Sequence, residues 1–220
     1  SLRVPALTDK VVGTLTTAAS PEGRTFNYSL VTGEGDGDNG LFTLSGGQLR
    51  TGTGFPDGSR DEYTVRVRSE DPDYPSQSFI ETAFTITAVR APTDMSLSPT
   101  SIPDRSTTAG GSFSTVAIGT GRTFEYSLIP GDGDGDNGKF TIENGVLKTA
   151  VGFPAGSASY SIRVRTTDTQ FGELTYDEAF TVTSLTDPAD LTLTKLTIPG
   201  SAGSSGGVLG AVADGTGRTF

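Results

Sequence analysis

The sequence predicts an all-β fold, a tandem array of seven-stranded Greek-key β-sandwiches, and three observations carry that prediction. The first is internal repetition. RTFNYSL at 24–30 returns as RTFEYSL at 122–128, and the acidic stretch GEGDGDNGLF at 33–42 returns as GDGDGDNGKF at 131–140, both 98 positions later. The second is a period of two within each copy, the alternation that antiparallel strands with one buried face require. The third is punctuation: clusters rich in Gly, Pro, Asn and Asp break the chain roughly every 8–12 residues, the spacing of short strands in a sandwich.

The second copy shows the elements in order. TDMSLS at 93–98 and SIPDRST at 101–107 open it. RTFEYSL then sets Phe124, Tyr126 and Leu128 on one face and Thr123, Glu125 and Ser127 on the other. GDGDGDNG turns the chain into KFTI, ENG turns it again into GVLKTAVGF, and GFPAGSAS leads to YSIRVRT. In that last strand Tyr160, Ile162 and Val164 point inward while Arg163 and Arg165 point outward. After DTQFGE, the strand EAFTVTS buries Phe180 and Val182. The first copy answers with QLRTGTGFP, YTVRVRSED and ETAFTIT. The displacement drifts from 98 to 97 and 96 along the repeat, which places the length changes in loops. Residues 92–124 align without a gap on 188–220, and GTGRTF occurs in both. Val4-Pro5 matches Ile102-Pro103. The expected organisation is therefore a sandwich at 1–90 lacking its first strand, a complete one at 91–187, and the N-terminal part of a third repeat at 188–220.

Composition narrows the chemistry. The 220 residues include no Cys, His or Trp. Disulfides, thiolate nucleophiles, histidine bases and histidine metal sites are thereby excluded. A net charge of -10, from 26 acidic and 16 basic residues, argues against nucleic acid, whose affinity comes from Lys and Arg on phosphates. No apolar run reaches the roughly 18 residues of a membrane-spanning helix. The acids differ between copies, and no aromatic platform accompanies them, so an enzyme is not expected.

The acidic stretches admit two readings. Alternate carboxylates with glycine between them suit calcium, a hard cation that takes six to eight oxygens from a flexible loop. On that reading Asp132, Asp134 and Asp136, with Asp36 and Asp38 in the first copy, are the ligands. An EF-hand is not matched: Asp132, Asp134, Asp136 and Glu143 fall at ligand positions, but the required glycine is Asn137 and a strand follows. The other reading is a strand-connecting turn in which Asp and Asn side chains cap backbone amides, and this is preferred. Arg66, Arg68, Arg163 and Arg165 could form a stripe for an anionic glycan; the outward face of a strand paired with acids on its neighbour is the simpler expectation.

The ordered set FEYSL, DGDGDNGKFTI, GVLKTAVGF, YSIRVRTTD and EAFTVT resembles the bacterial cadherin-like repeat, across nearly the whole chain. The resemblance implies cadherin-type sandwiches in tandem within a large extracellular or surface-attached bacterial protein. It also implies calcium as the cofactor to consider, with Asp104 of SIPDRST standing where that family places an acidic ligand. Departures are plain. The first junction, FTITAVRAPTDMSLS, lacks an acidic linker, and the second keeps only Asp187 and Asp190. The acidic cluster expected after the Leu-Lys-Thr strand is reduced to Asp57 in one copy, and the opening position holds Ala6, Asp104 and Gly200 in turn. The interdomain calcium site is largely lost on this reading. The expected function is a structural spacer or adhesive segment, its partners being neighbouring repeats of the same protein. The alternatives are a module gripping a cell-surface glycan or protein, and a filament subunit assembled by strand complementation with segments such as 190–196.

Overall fold

The computed structural model describes residues 2–20, 22–56, 60–75, 77–104, 107–153, 158–186, 190–193, 200, 203 and 209–212. Asp57, Asp187 and most of 188–220 lie outside the described residues. Two compact units are formed, Ser1–Ala91 with Ile118–Thr120, and Pro92–Ala117 with Gly121–Phe220.

The first unit contains β1 (Leu2–Pro5), β2 (Val11–Thr14), β3 (Asn27–Leu30), β4 (Phe42–Ser45), β5 (Gln48–Thr51), β6 (Glu62–Glu70) and β7 (Phe79–Val89). One sheet has the order β1-β7-β6-β3 and the other β2-β5-β4. All neighbours are antiparallel except β1, which runs parallel to β7. The inward positions of β6 are Tyr63, Val65 and Val67, which meet Val12, Phe42 and Leu49 of the facing sheet in one core. Phe55 inserts its ring between Phe42 and Tyr63, with centroids 5.7 and 4.3 Å away.

In the second unit, residues 92–186 follow the same plan with one more strand among the described residues. They contain β8 (Asp94–Ser98), β9 (Ser101–Pro103), β10 (Ala109–Val116), β11 (Phe124–Leu128), β12 (Phe140–Glu143), β13 (Val146–Thr149), β14 (Ser159–Asp168) and β15 (Thr175–Leu185). The sheets are β12-β13-β10-β8 and β11-β14-β15-β9. Seven strands were expected for 91–187, and eight are found among its described residues, because the opening segment divides. β8 lies antiparallel on β10, and after Pro99 and Thr100 the chain continues as β9, parallel on β15 in the opposite sheet. Proline has no N–H to give a ladder, so it marks where the strand leaves one sheet for the other. Ile162, Val164 and Val182 are buried as the alternation requires, and Phe113, Phe140, Leu147 and Phe153 complete the core.

Beyond the second sandwich, β16 (Asp190–Leu193) pairs antiparallel with β17 (Leu209–Val212). The register is that of β8 on β10, moved by 96 positions: Asp94 faces Val116 as Asp190 faces Val212, and Leu97 faces Phe113 as Leu193 faces Leu209.

Candidate functional site

Both acidic stretches fold in one way, and the reason lies in the strand beside them. β11 ends at Leu128 while β14 runs on, so the edge amides of Ser161 and Arg163 need other acceptors. Asp136 and Asn137 supply them. The Ser161 amide donates to Asp136 Oδ2 at 2.9 Å and the Arg163 amide to Asn137 Oδ1 at 2.9 Å. Asn137 Nδ2 donates in turn to the Ile129 carbonyl at 2.8 Å, and the Asp136 amide to the Ser161 carbonyl at 2.9 Å. The loop thus continues the sheet with side chains where a backbone has turned away. The first copy repeats each bond on β6: Thr64 donates to Asp38 at 2.8 Å, Arg66 to Asn39 at 2.9 Å, and Asn39 to the Val31 carbonyl at 2.9 Å.

The remaining acids fall into place around that pair. Asp134 accepts the Gly131 amide at 3.0 Å, and Asp36 the Gly33 amide at 3.0 Å, each closing its own turn. Asp132 is exposed and holds Arg163 through its carbonyl at 3.0 Å; the carbonyl of Glu34 holds Arg66 in the same way at 2.9 Å. A main-chain role explains why Asp132 and Glu34 can differ. Asp38 is paired with Arg60, and Asp136 with Lys139 at 2.6 Å. The Lys139 bond, aided by the Ser161 amide, holds the Asp136 carboxyl below its ordinary range. Asp104 sits elsewhere, its amide on the Leu185 carbonyl at 3.0 Å and its carbonyl on the Phe153 amide at 3.1 Å.

Among the described residues, no three acidic side chains converge as a metal site would need. The carboxylates of Asp134 and Asp136 accept from amide and ammonium donors, where a calcium ion would need six or more oxygens. Thermal melts of the full chain in millimolar calcium and in chelator are expected to coincide. A native-state site of about 10 μM would instead add roughly 2.7 kcal/mol at 1 mM calcium, a rise on the order of 10–20 °C for a unit of this size. Such a rise, removed by Asp132→Asn, Asp134→Asn and Asp136→Asn together, would make the loop a metal site.

The arginine stripes pair as expected for strand faces. Arg66 and Arg68 share Glu81 on β7, and Arg163 and Arg165 share Asp177 on β15. Sequence reasoning missed a further ion pair. Arg122 Nε donates to Asp168 Oδ2 at 2.7 Å, with side chains only 3% and 2% exposed. Asp168 Oδ1 also accepts the amides of Gln170 and Phe171. In the first unit Arg24 pairs with Asp71 in the same position. The signal was present: RTF recurs in all three copies, at 24–26, 122–124 and 218–220. Among the loop aromatics, Tyr74 is 59% exposed and Phe171 is half-buried. Among the described residues no helix is long and apolar enough to cross a membrane.

No protein-family profile matches this chain, and no curated protein matches it by sequence. Solved structures do. Drosophila N-cadherin EC1-3 is 20% identical over 84% of this chain and 64% of its own, with a TM-score of 0.32. The human desmocollin-1 ectodomain is 16% identical over 87% of this chain and 42% of its own, with a TM-score of 0.39. Human protocadherin-24 EC1-2 is 15% identical, covering 84% of this chain and 91% of its own, at a TM-score of 0.34. The chain spans under two-thirds of the length of the first two. At these identities and TM-scores the likeness assigns this chain neither a family nor a role.

Proposed function

We propose that this chain is a structural spacer with an adhesive role, one stretch of a tandem sandwich array in a large extracellular or cell-surface protein. The observation that carries the reading is that one set of contacts is built twice, each around its own core. The Asp-Asn loop lock, the shared acid beneath two arginines and the Arg–Asp pin all recur at equivalent positions in both units. Contacts that recur at equivalent positions in both units are those that keep each unit folded, which is what a spacer needs. Length then comes from repetition. The domain division at 1–90, 91–187 and 188–220 belongs to this proposal. The acidic loops act in it as locks on β6 and β14, without need of calcium.

Single-molecule extension of the full chain tests the reading. Two separate unfolding events are expected, each releasing on the order of 300 Å of chain. One cooperative event, or gradual extension without steps, would sink it.

A further inference from the structure

The chain has four asparagines, and three of them are followed by glycine: Asn39-Gly40, Asn137-Gly138 and Asn144-Gly145. The fourth, Asn27, precedes Tyr28, whose side chain crowds its own peptide nitrogen. In an Asn-Gly pair the side-chain amide is open to attack by the backbone, since glycine has no Cβ to shield its nitrogen. The structure treats the three pairs differently. Asn137 Oδ1 accepts the Arg163 amide at 2.9 Å while its Nδ2 donates to the Ile129 carbonyl at 2.8 Å. Asn39 does the same between Arg66 and Val31, at 2.9 Å each. Turning either side chain toward its glycine breaks both bonds and leaves a strand-edge amide without its acceptor.

Asn144 is not held in this way. It sits at the tip of the hairpin joining β12 to β13, where Glu143 faces Val146 across a two-residue loop. Asn144 has φ +51° and Gly145 φ +76°, the positive pair of a type I′ turn. The side chain is exposed, and no hydrogen bond among the described residues holds its amide. The Gly145 carbonyl accepts the Phe113 amide at 2.8 Å, but among the described residues nothing accepts from the Gly145 N–H. The first unit makes the same turn from Gly46 and Gly47, at φ +56° and +77°. The hairpin therefore needs residues tolerant of positive φ at its tip and has no use for the asparagine amide.

We infer that Asn144 is the site at which this chain is modified by its own backbone, the side-chain amide being lost as ammonia. The Gly145 nitrogen gives its proton to water or hydroxide and attacks Asn144 Cγ. A Cγ–N bond forms, the Cγ–Nδ2 bond breaks, and the leaving nitrogen takes up a proton as ammonia. Water then opens the cyclic imide on either side. Cleavage of the new Cγ–N bond yields aspartate, and cleavage of the original peptide bond yields isoaspartate, in which the chain runs through the side-chain carbonyl. Each event adds one carboxylate next to Glu143, which pairs with Lys148. The loop lock thereby gains a second role: it protects the asparagines that hold β6 and β14, and the chemistry falls on the one whose amide bonds nothing. The reaction is independent of the spacer reading, since it needs only the folded second unit.

The test is incubation of the full folded chain in mildly alkaline buffer, sampled over weeks by tryptic mass spectrometry. Trypsin places the sites on separate peptides, with Asn39 in 25–50, Asn137 in 123–139 and Asn144 in 140–148. Conversion at Asn144 is expected to run about tenfold or more ahead of Asn137 and Asn39, each of which must first break two hydrogen bonds. In urea, where the lock is gone, the three rates should converge. Asn144→Gly, which copies Gly46, should leave the melting transition in place and remove the acidic species that accumulates on isoelectric focusing. Equal or undetectable rates in the folded chain would overturn the assignment, as would conversion led by Asn39 or Asn137, or an acidic species that survives Asn144→Gly. An order of rates unchanged in urea would also overturn it, because neighbouring residues and not the fold would then set them.

Discussion

Asp168→Ala is expected to destabilise the second unit by about 3–5 kcal/mol, because it breaks a buried ion pair by removing one of its members. Arg122 is 3% exposed and stacks over Phe124 at 5.1 Å, so it has no easy path to water. The mutation also removes the acceptor of the Gln170 and Phe171 amides, which shapes the turn between β14 and β15. At about 4–8 °C per kcal/mol for a unit of this size, the melting transition falls by more than 10 °C. With no tryptophan in the chain, hydrogen exchange at β14 amides is the direct readout, since it reports the opening of one unit by itself. Asp71→Ala should cost clearly less, because its partner Arg24 is 30% exposed and can rehydrate. Equal losses at the two sites would refute the burial argument.

The same pair predicts an acid limb. Burial opposes the charged form of Asp168, but the Arg122 bond and the two amides outweigh it, and the carboxyl lies below its ordinary value of 3.8. A depressed carboxyl contributes stability that is present above pH 3.8 and is lost as pH falls through the lower folded value. Replacing Asp168 by asparagine should flatten that limb.

Gly133→Ala is the second large effect, about 2–5 kcal/mol against the second unit. Gly133 sits at φ +92°, which L-residues adopt at a cost of roughly 1–2 kcal/mol. A Cβ there would also lie 2.7 Å from the Cβ of Ala179 on β15, an overlap of the kind that costs about 1–3 kcal/mol. The control is two residues away. Gly135 has open space around it and no left-handed φ, so Gly135→Ala should change stability by about 0.5 kcal/mol or less. If both alanines behaved alike in hydrogen exchange, the loop would not be pressed against β15 as described. The first unit offers a replicate, since Gly35 has φ +90° and meets Ala83 at 2.6 Å.

This pair of glycines shows why the acidic loop was ambiguous as a string of letters. In GDGDGDNG the glycines look interchangeable spacers between ligands, yet one is held by its φ and its neighbour on β15 while the other is free. The carboxylates are no more equivalent: Asp132 works through its backbone, Asp134 closes its own turn, and Asp136 replaces a missing strand. Sequence spacing orders such groups along the chain without saying which amide each will meet.

By itself the sequence determined the repeat, the strand alternation and the inward residues, because a period of two with one buried face leaves little choice of which side chains go in. It also determined what chemistry is absent, since no histidine or cysteine is there to perform it. Only the tertiary structure decided the rest. The split of the opening segment into β8 and β9 depends on two sheets lying face to face, which no local pattern encodes. The Arg122–Asp168 pin joins residues 46 positions apart. The Asp-Asn lock arises because β14 outruns β11, a difference in strand length that matters only once the two strands are side by side. Long-range pairing brings distant groups within hydrogen-bonding reach, and burial then sets what each contact is worth.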